Sequence, residues 1–405
     1  MKRENFNTKK QYESIMKNTI LVIILLMTAI GCSGGGKEST DDFITVDVRK
    51  SYPKKNLILQ DIMDVEYIPL ETNDDFLTQG RVLAISKNFI VVKNRMNDGN
   101  LFIFDRTTGK CLRKINHYGQ GPGEYSHVFE ISIDEDIGEI FVNTHARKIL
   151  VYDLDGKFKR ILNVEFHCTQ IQNFDRENLI GYDFDFNAGG GRKHPLSLIS
   201  KKDGRITKEI QIPYKKMINT AMSGNFGDNK NMTYLLFAEL YPIISYFDNW
   251  ILFTPSSDTI YSYLPEQHIV TPLIIRTPSV QSLKPKIFLF MNILTDRYYF
   301  METVTKVYNP VTKDYLSIDL VYDKQKKAIF EYKVYNKDYA EKKLISLKPL
   351  GARPENDGIA AFQVLECYQL IESYRKGELK GRLKEIAAKL HEEDNPVIML
   401  MKYKK

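Results

Sequence analysis

Tryptophan occurs once in this chain, at Trp250, against 24 tyrosines and 22 phenylalanines. Repeats signed by a Trp-Asp dipeptide are therefore excluded, and no sialidase-type Asp-box recurs. Cysteine is almost as scarce, and Cys32, Cys111, Cys168 and Cys367 show no C-x-x-C spacing, so a zinc site is unsupported. With Cys32 set aside, Cys111, Cys168 and Cys367 allow at most one disulfide, and buried, inert thiols are the expectation. The seven histidines are scattered and form no H-E-x-x-H. G-x-S-x-G and the P-loop pattern are missing too, so no catalytic residue, cofactor or metal follows from a motif. One-sided charge is also lacking. The net charge is +6, and residues 1–31 carry five basic against two acidic residues. The remainder is nearly balanced and gives no reason to invoke nucleic acid. Finally, the apolar run Ile20–Ile30 has only 11 residues. A helix of that length rises about 16 Å, roughly half a bilayer core, so it cannot span.

That run is better explained as the apolar region of a signal peptide behind a basic leader. Ala29-Ile30-Gly31-Cys32, then Ser33 and three glycines, resembles a bacterial lipoprotein lipobox, although Leu is usual where Ala29 stands. The expected organisation is a signal peptide over 1–31, a flexible tether over 32–43 and a single domain over 44–405. Cys32 would carry the lipid, making the membrane a partner and the outer membrane of the cell envelope the address, on either face. An ordinary secretory signal is the alternative.

Beyond the tether the chain reads as short strands separated by tight turns, all-β throughout. The pattern is cleanest from Phe89 to Ile161. Strands Arg81–Ile85, Phe89–Lys93, Asn100–Asp105 and Cys111–Ile115 form one meander; Val128–Ile133, Glu139–Asn143, Lys148–Asp153 and Phe158–Leu162 form a second. Aligned third-strand ends fall at Asp105, Asp153, Ser200, Leu264 and Asp323, marking five blades of a β-propeller. Insertions are expected at Asn187–His194, Met217–Met232 and Asn336–Gly358. Strands at both chain ends, Ile44–Val48 and Val397–Met401, would zip into a sixth, with one helix over Glu378–His391 before the last strand. The expected fold is a six-bladed β-propeller of four-stranded antiparallel blades, with seven blades as the next count.

Gly119-Gln120-Gly121-Pro122-Gly123-Glu124-Tyr125, an apolar strand and an acidic turn are similar to the crossing between NHL-type repeats. Val65–Thr72 and Asp394-Asn395-Pro396-Val397 resemble the six-bladed β-propeller lipoproteins of host-associated Gram-negative anaerobes. That family is named for its shape, and the resemblance implies no catalytic residues.

Three local patterns invite chemistry. The Gly119–Tyr125 loop exposes backbone N–H groups, but no helix follows, so its glycines are expected to supply positive φ at a blade crossing. Asp183, Asp185 and Asn187 have the spacing that opens a calcium loop, yet Ala188 and His194 stand where Gly and Glu belong. Asp183 and Asp185 are the metal candidates, with an acidic strand face as the plainer reading. His145 and Arg147, in a turn of blade 2, are the ligand candidates; an exposed hairpin explains them as well. Asp134-Glu135-Asp136 reads as a solvated hairpin turn. The expected function is a lipid-anchored binding or interaction module for a glycan, peptide or protein partner. A metal-dependent lyase or hydrolase with its site in the central channel is the alternative, and a scaffold docking through Glu378–His391 a third.

Overall fold

The computed structural model describes residues 43–404 except 145–146, 184, 186–191, 221, 227–228, 235–240, 310–313, 350–351 and 356–357. For 222–226, 229–234, 308 and 314 only the backbone is described. Residues 1–42, with the expected signal peptide and Cys32, and His145 thus lie outside the described residues. Among those described, no helix is long and apolar enough to cross a membrane.

The architecture is a six-bladed β-propeller. Blade 1 is Arg81–Ile85, Phe89–Lys93, Asn100–Asp105 and Cys111–Asn116, an antiparallel meander in chain order. Its first three strands are buried on both faces and its fourth alternates half-buried or buried with exposed, as expected of a sheet packed between neighbours with only its outer edge in water. Blade 2 repeats it with Glu130–Asp134, Glu139–Asn143, Lys148–Asp153 and Phe158–Asn163. Blade 3 spans Cys168–Asn173 to Ile206–Ile210, blade 4 Ile243–Tyr246 to Ile269–Thr277, and blade 5 Ile287–Leu294 to Ala328–Asn336. All five aligned positions are the last residues of their third strands. Where the position is Asp, the repeat has a local cause. Asp105 Oδ1 accepts from the N–H of Thr107 and Thr108, and Asp323 Oδ1 from those of Gln325 and Lys326, so each carboxylate caps the turn that follows.

Polar side chains strap successive blades. Lys93 Nζ donates to Val128 O at 2.8 Å, and Asn143 Nδ2 to Cys168 O at 2.9 Å. The Gln170 amide makes two 2.9 Å bonds to the backbone of Ile243. Cys168–Asn173 is the inner strand the sequence reading missed. Its buried Thr169, Gln170 and Gln172 break the apolar pattern, because an inner strand meets other blades as well as core.

Ring closure differs from expectation in its detail. The strand zipped to Val397–Lys402 is Asp64–Pro69, antiparallel, with Val397 opposite Pro69 and Lys402 opposite Asp64. Ile44–Asp47 instead lies parallel on Ile269–Thr277 of blade 4, and Lys54–Ile58 parallel on Ala328–Asn336 of blade 5. The N-terminal segment thus runs along the outside of blades 4 and 5 and covers two sheet edges before it closes blade 6. Lys55 fastens it, with Nζ 2.5 Å from Asp323 of blade 5.

The expected helix is shorter and preceded by another. Cys367–Arg375 and Gly381–Ala387 are separated by Gly377 at φ +71°. Leu379, Leu383, Ile386 and Ala387 are buried, packed with Met63, Tyr67 and Met399, so that face is core and is not available for docking. In the Gly119–Tyr125 crossing only Gly123 has positive φ, at +133°. At Gly119 a Cβ would lie 1.9 Å from the Glu124 carboxylate, the movable end of a side chain, so the present Glu124 rotamer and not the backbone favours glycine there. Asp134 is not solvated; it is buried and its carboxylate meets Lys201 Nζ at 2.5 Å. Cys111, Cys168 and Cys367 are all free thiols, the last two buried.

Candidate functional site

Three places on the ring gather polar or aromatic groups: the axis, the end where the chain crosses between blades, and the end carrying the turns between first and second strands.

The axis is occupied by the chain itself. Blade 6 is the three-stranded sheet Ile359–Leu365, Val397–Lys402 and Asp64–Pro69; before it, residues 352–355 run irregularly through the centre. Arg353 Nε donates to Tyr241 O at 3.0 Å, Nη1 to Asn292 O at 2.7 Å and Nη2 to Met291 O at 3.1 Å. The bulge between Met291 and Ile293 in the inner strand of blade 5 takes Asn292 out of register, leaving its carbonyl for Arg353. Two residues on, the Glu355 carboxylate accepts from Ser132 Oγ at 2.5 Å, Ile133 N at 2.8 Å and Asn173 N at 3.1 Å. Its own N–H donates to Ile85 O at 2.8 Å. One short segment therefore binds blades 1, 2, 3 and 5 and the entry to blade 4.

Burial dominates the electrostatics there. It pushes the Glu355 carboxyl up to about 7 although three donors favour the anion. Glu130 beside it is raised further by burial and by Glu355, while its Oε2 accepts Ile171 N at 2.5 Å. Arg353 is lowered to about 10 by burial, against the opposing pull of Tyr403, Tyr241 and Glu302. Both acids hold backbone donors of neighbouring blades, an arrangement suited to locking a ring.

At the crossing end, Arg147 sits in the second-to-third-strand turn of blade 2 at φ +54°. Its Nη2 lies 3.6 Å from Asp185 Oδ2, which is also 2.7 Å from His167 Nδ1. Two residues read for different roles, Arg147 and Asp185, thus meet at one point, joined by His167, which the sequence reading passed over. Asp183 is separate: buried at the end of its strand, it accepts Asp185 N at 2.9 Å and lies 3.8 Å from Arg192 Nε. Burial raises its carboxyl, with the Asp185 N–H and Arg192 opposing. Arg192 stacks 4.2 Å over Phe166 and donates to Ser197 and Glu209. Among the described residues no group of three His, Cys, Asp or Glu is placed to hold a metal ion.

The turn end carries the aromatic groups. Tyr246 and Phe247 in the first turn of blade 4 meet Tyr403, just past the last strand of blade 6. Ring centroids are 5.0 Å apart for Tyr246–Phe247, 5.6 Å for Tyr246–Tyr403 and 5.3 Å for Phe247–Tyr403. Tyr403 also lines a cavity of about 370 Å³ bounded by Asn56, Asp61, Asp296, Arg297 and Tyr298. Tyr246 OH donates to Asp296 Oδ1 at 3.2 Å, which ties the rings to the cavity rim. The one signal in the sequence was Phe247 standing beside Asp248-Asn249, a large ring where a tight turn usually has small or polar residues.

Comparison with known proteins places this architecture. The model of a domain of unknown function, DUF4934, matches residues 43–402. The chain belongs to the DUF4934 family. No curated protein matches it. Among solved structures, a protein of Bacteroides fragilis described as exported is similar to this DUF4934 chain at TM-score 0.57 and 18% identity, over 89% of this chain and 99% of that one. A DUF4221 family member from Bacteroides vulgatus aligns at TM-score 0.45 and 10% identity, over 84% of this chain and 97% of the other. At such identities the first likeness speaks to fold.

Proposed function

We propose that this protein is a lipid-anchored propeller of the bacterial cell envelope that acts as a binding module for a glycan, peptide or protein partner. The leader and Cys32 support the anchor, in keeping with an exported structural relative. The observation that carries the binding reading is the occupied axis. A channel-centred lyase or hydrolase needs acids free to meet substrate at the centre, whereas Glu355 and Glu130 hold neighbouring strands there. Recognition is left to the ends of the ring, and the turn end has a cavity lined by Tyr403, with the exposed Phe247 stacked on that ring beside it.

Two measurements test this. Cys32→Ala in the full chain should move the protein from the membrane fraction to the soluble envelope fraction; retention in the membrane would overturn the anchor. The purified full chain, offered immobilised oligosaccharides and peptides, should bind at least one class saturably without converting it. Release of cleaved product, lost in Glu355→Gln with the fold intact, would replace the binding reading with the channel enzyme.

A further inference from the structure

We propose that the turn-end cavity bounded by the N-terminal segment, the first turn of blade 5 and Tyr403 is a carbohydrate subsite, taking a neutral sugar ring against Tyr403 and against Phe247, which stacks on Tyr403 beside the cavity. The assignment rests on the binding-module reading and names the ligand class of that module.

The first observation is backbone conformation. Phe247 has φ +49°, a left-handed position that Gly or Asn occupies at little cost and a bulky side chain does not. Its ring is 48% exposed. The turn thus carries strain at a residue whose side chain recovers little by burial, the combination found where a ring is held out for a ligand. The second is convergence. Phe247 comes from blade 4 and Tyr403 from the end of blade 6, far apart in sequence, yet their centroids are 5.3 Å apart.

The third is the chemistry of the rim. About 370 Å³ is near the low end of small-molecule sites. Its wall sets the charged and amide groups of Asp61, Asp296, Asn56 and Arg297 beside the aliphatic Leu57 and Ile62. An apolar peptide anchor seated there would strip water from these groups and return no hydrogen bonds. A pyranose suits both halves, laying a C–H face on an aromatic ring and turning hydroxyls to carboxylate and amide. Charges of both signs, with Arg297 already held 3.2 Å from Asp323, favour a neutral sugar over a uronic or sulfated one.

The test is an array of neutral hexose and N-acetylhexosamine oligosaccharides, with uronic acid oligomers and peptides beside them, probed with the full chain and quantified by calorimetry. Binding to a neutral oligosaccharide is expected, weakened at least tenfold by Phe247→Gly and by Tyr403→Ala, and kept by Phe247→Trp. Phe247→Gly relieves the left-handed backbone, so an unchanged or raised Tm separates lost recognition from lost folding. Neutral-glycan binding that survives both ring deletions overturns this site and keeps the module. Binding to peptides or uronic acid oligomers alone overturns the ligand class and keeps the module. No binding to any probe overturns both.

Discussion

Blades 1 and 2 differ from blades 4 to 6 in where their contacts come from. In the first pair every strand bonds to its neighbour in sequence, and the outer strands Cys111–Asn116 and Phe158–Asn163 end their sheets. In the second group the outer strands of blades 4 and 5 are covered by the N-terminal segment, and blade 6 joins strands from both chain ends. One side of the ring is a run of local repeats and the other is a set of long-range fastenings. Local meanders close short loops and can form early; the far side must wait for both ends of the chain. Cooperativity of the whole ring should therefore depend on a few residues on that side and at the axis.

The largest effect is expected at the axis. Glu355→Ala leaves Ser132 Oγ, Ile133 N and Asn173 N without their acceptor, at about 1–3 kcal/mol each before relaxation. A total loss of about 4 kcal/mol, read from urea unfolding, would make the segment a lock common to both halves. A loss under about 1 kcal/mol would mean the blades hold without it. Next comes Asp323→Ala, which deprives Lys55 and Arg297 of their shared carboxylate. About 2–3 kcal/mol should be lost, with hydrogen exchange rising over Lys54–Ile58 and blade 5 before blades 1 and 2. Uniform exchange around the ring would contradict the two-sided picture.

A smaller effect carries a sign. Burial raises the Glu355 carboxyl to about 7, so the folded state holds the proton more tightly than the unfolded one. That contribution is complete below the ordinary glutamate range and is lost as pH rises through about 7. The Tm of the wild type should fall across this window, and the slope should flatten in Glu355→Gln. Equal slopes in the two proteins would place the titrating group elsewhere.

The same two-sidedness governs what could be read from the sequence. Phe89–Lys93, Asn100–Asp105 and Lys148–Asp153 were legible to the residue, because apolar strands and capped turns are local signals. Lys54–Ile58 was not legible, since KKNLI shows no alternation and owes its conformation to a strand more than 270 residues away. Cys168–Asn173 was hidden by its glutamines, which look like loop until Ile243 is seen accepting one of them. The meeting of Arg147 with Asp185 and of Phe247 with Tyr403 joins separate blades. Such constellations are set by how blades dock, and spacing along the chain does not encode that.

Asp105 and Asp323 give the sharpest form of the comparison, because they occupy one position of the repeat in the two regions. Both carboxyls lie at about 2. For Asp105 the cause is hydrogen bonds from Thr107 and then Thr108 within its own turn. For Asp323 burial acts upward, and Lys55 and Arg297 more than offset it. Both are depressed acids, so both stabilise above the usual aspartate range and lose that contribution as pH falls toward 2. Asp105→Ala removes only a turn cap and should cost about 1 kcal/mol, with exchange confined to Arg106–Lys110. If Asp105→Ala proved as costly as Asp323→Ala, the turn cap would account for both positions. The N-terminal strand would then be an ornament on blade 5 instead of its fastening.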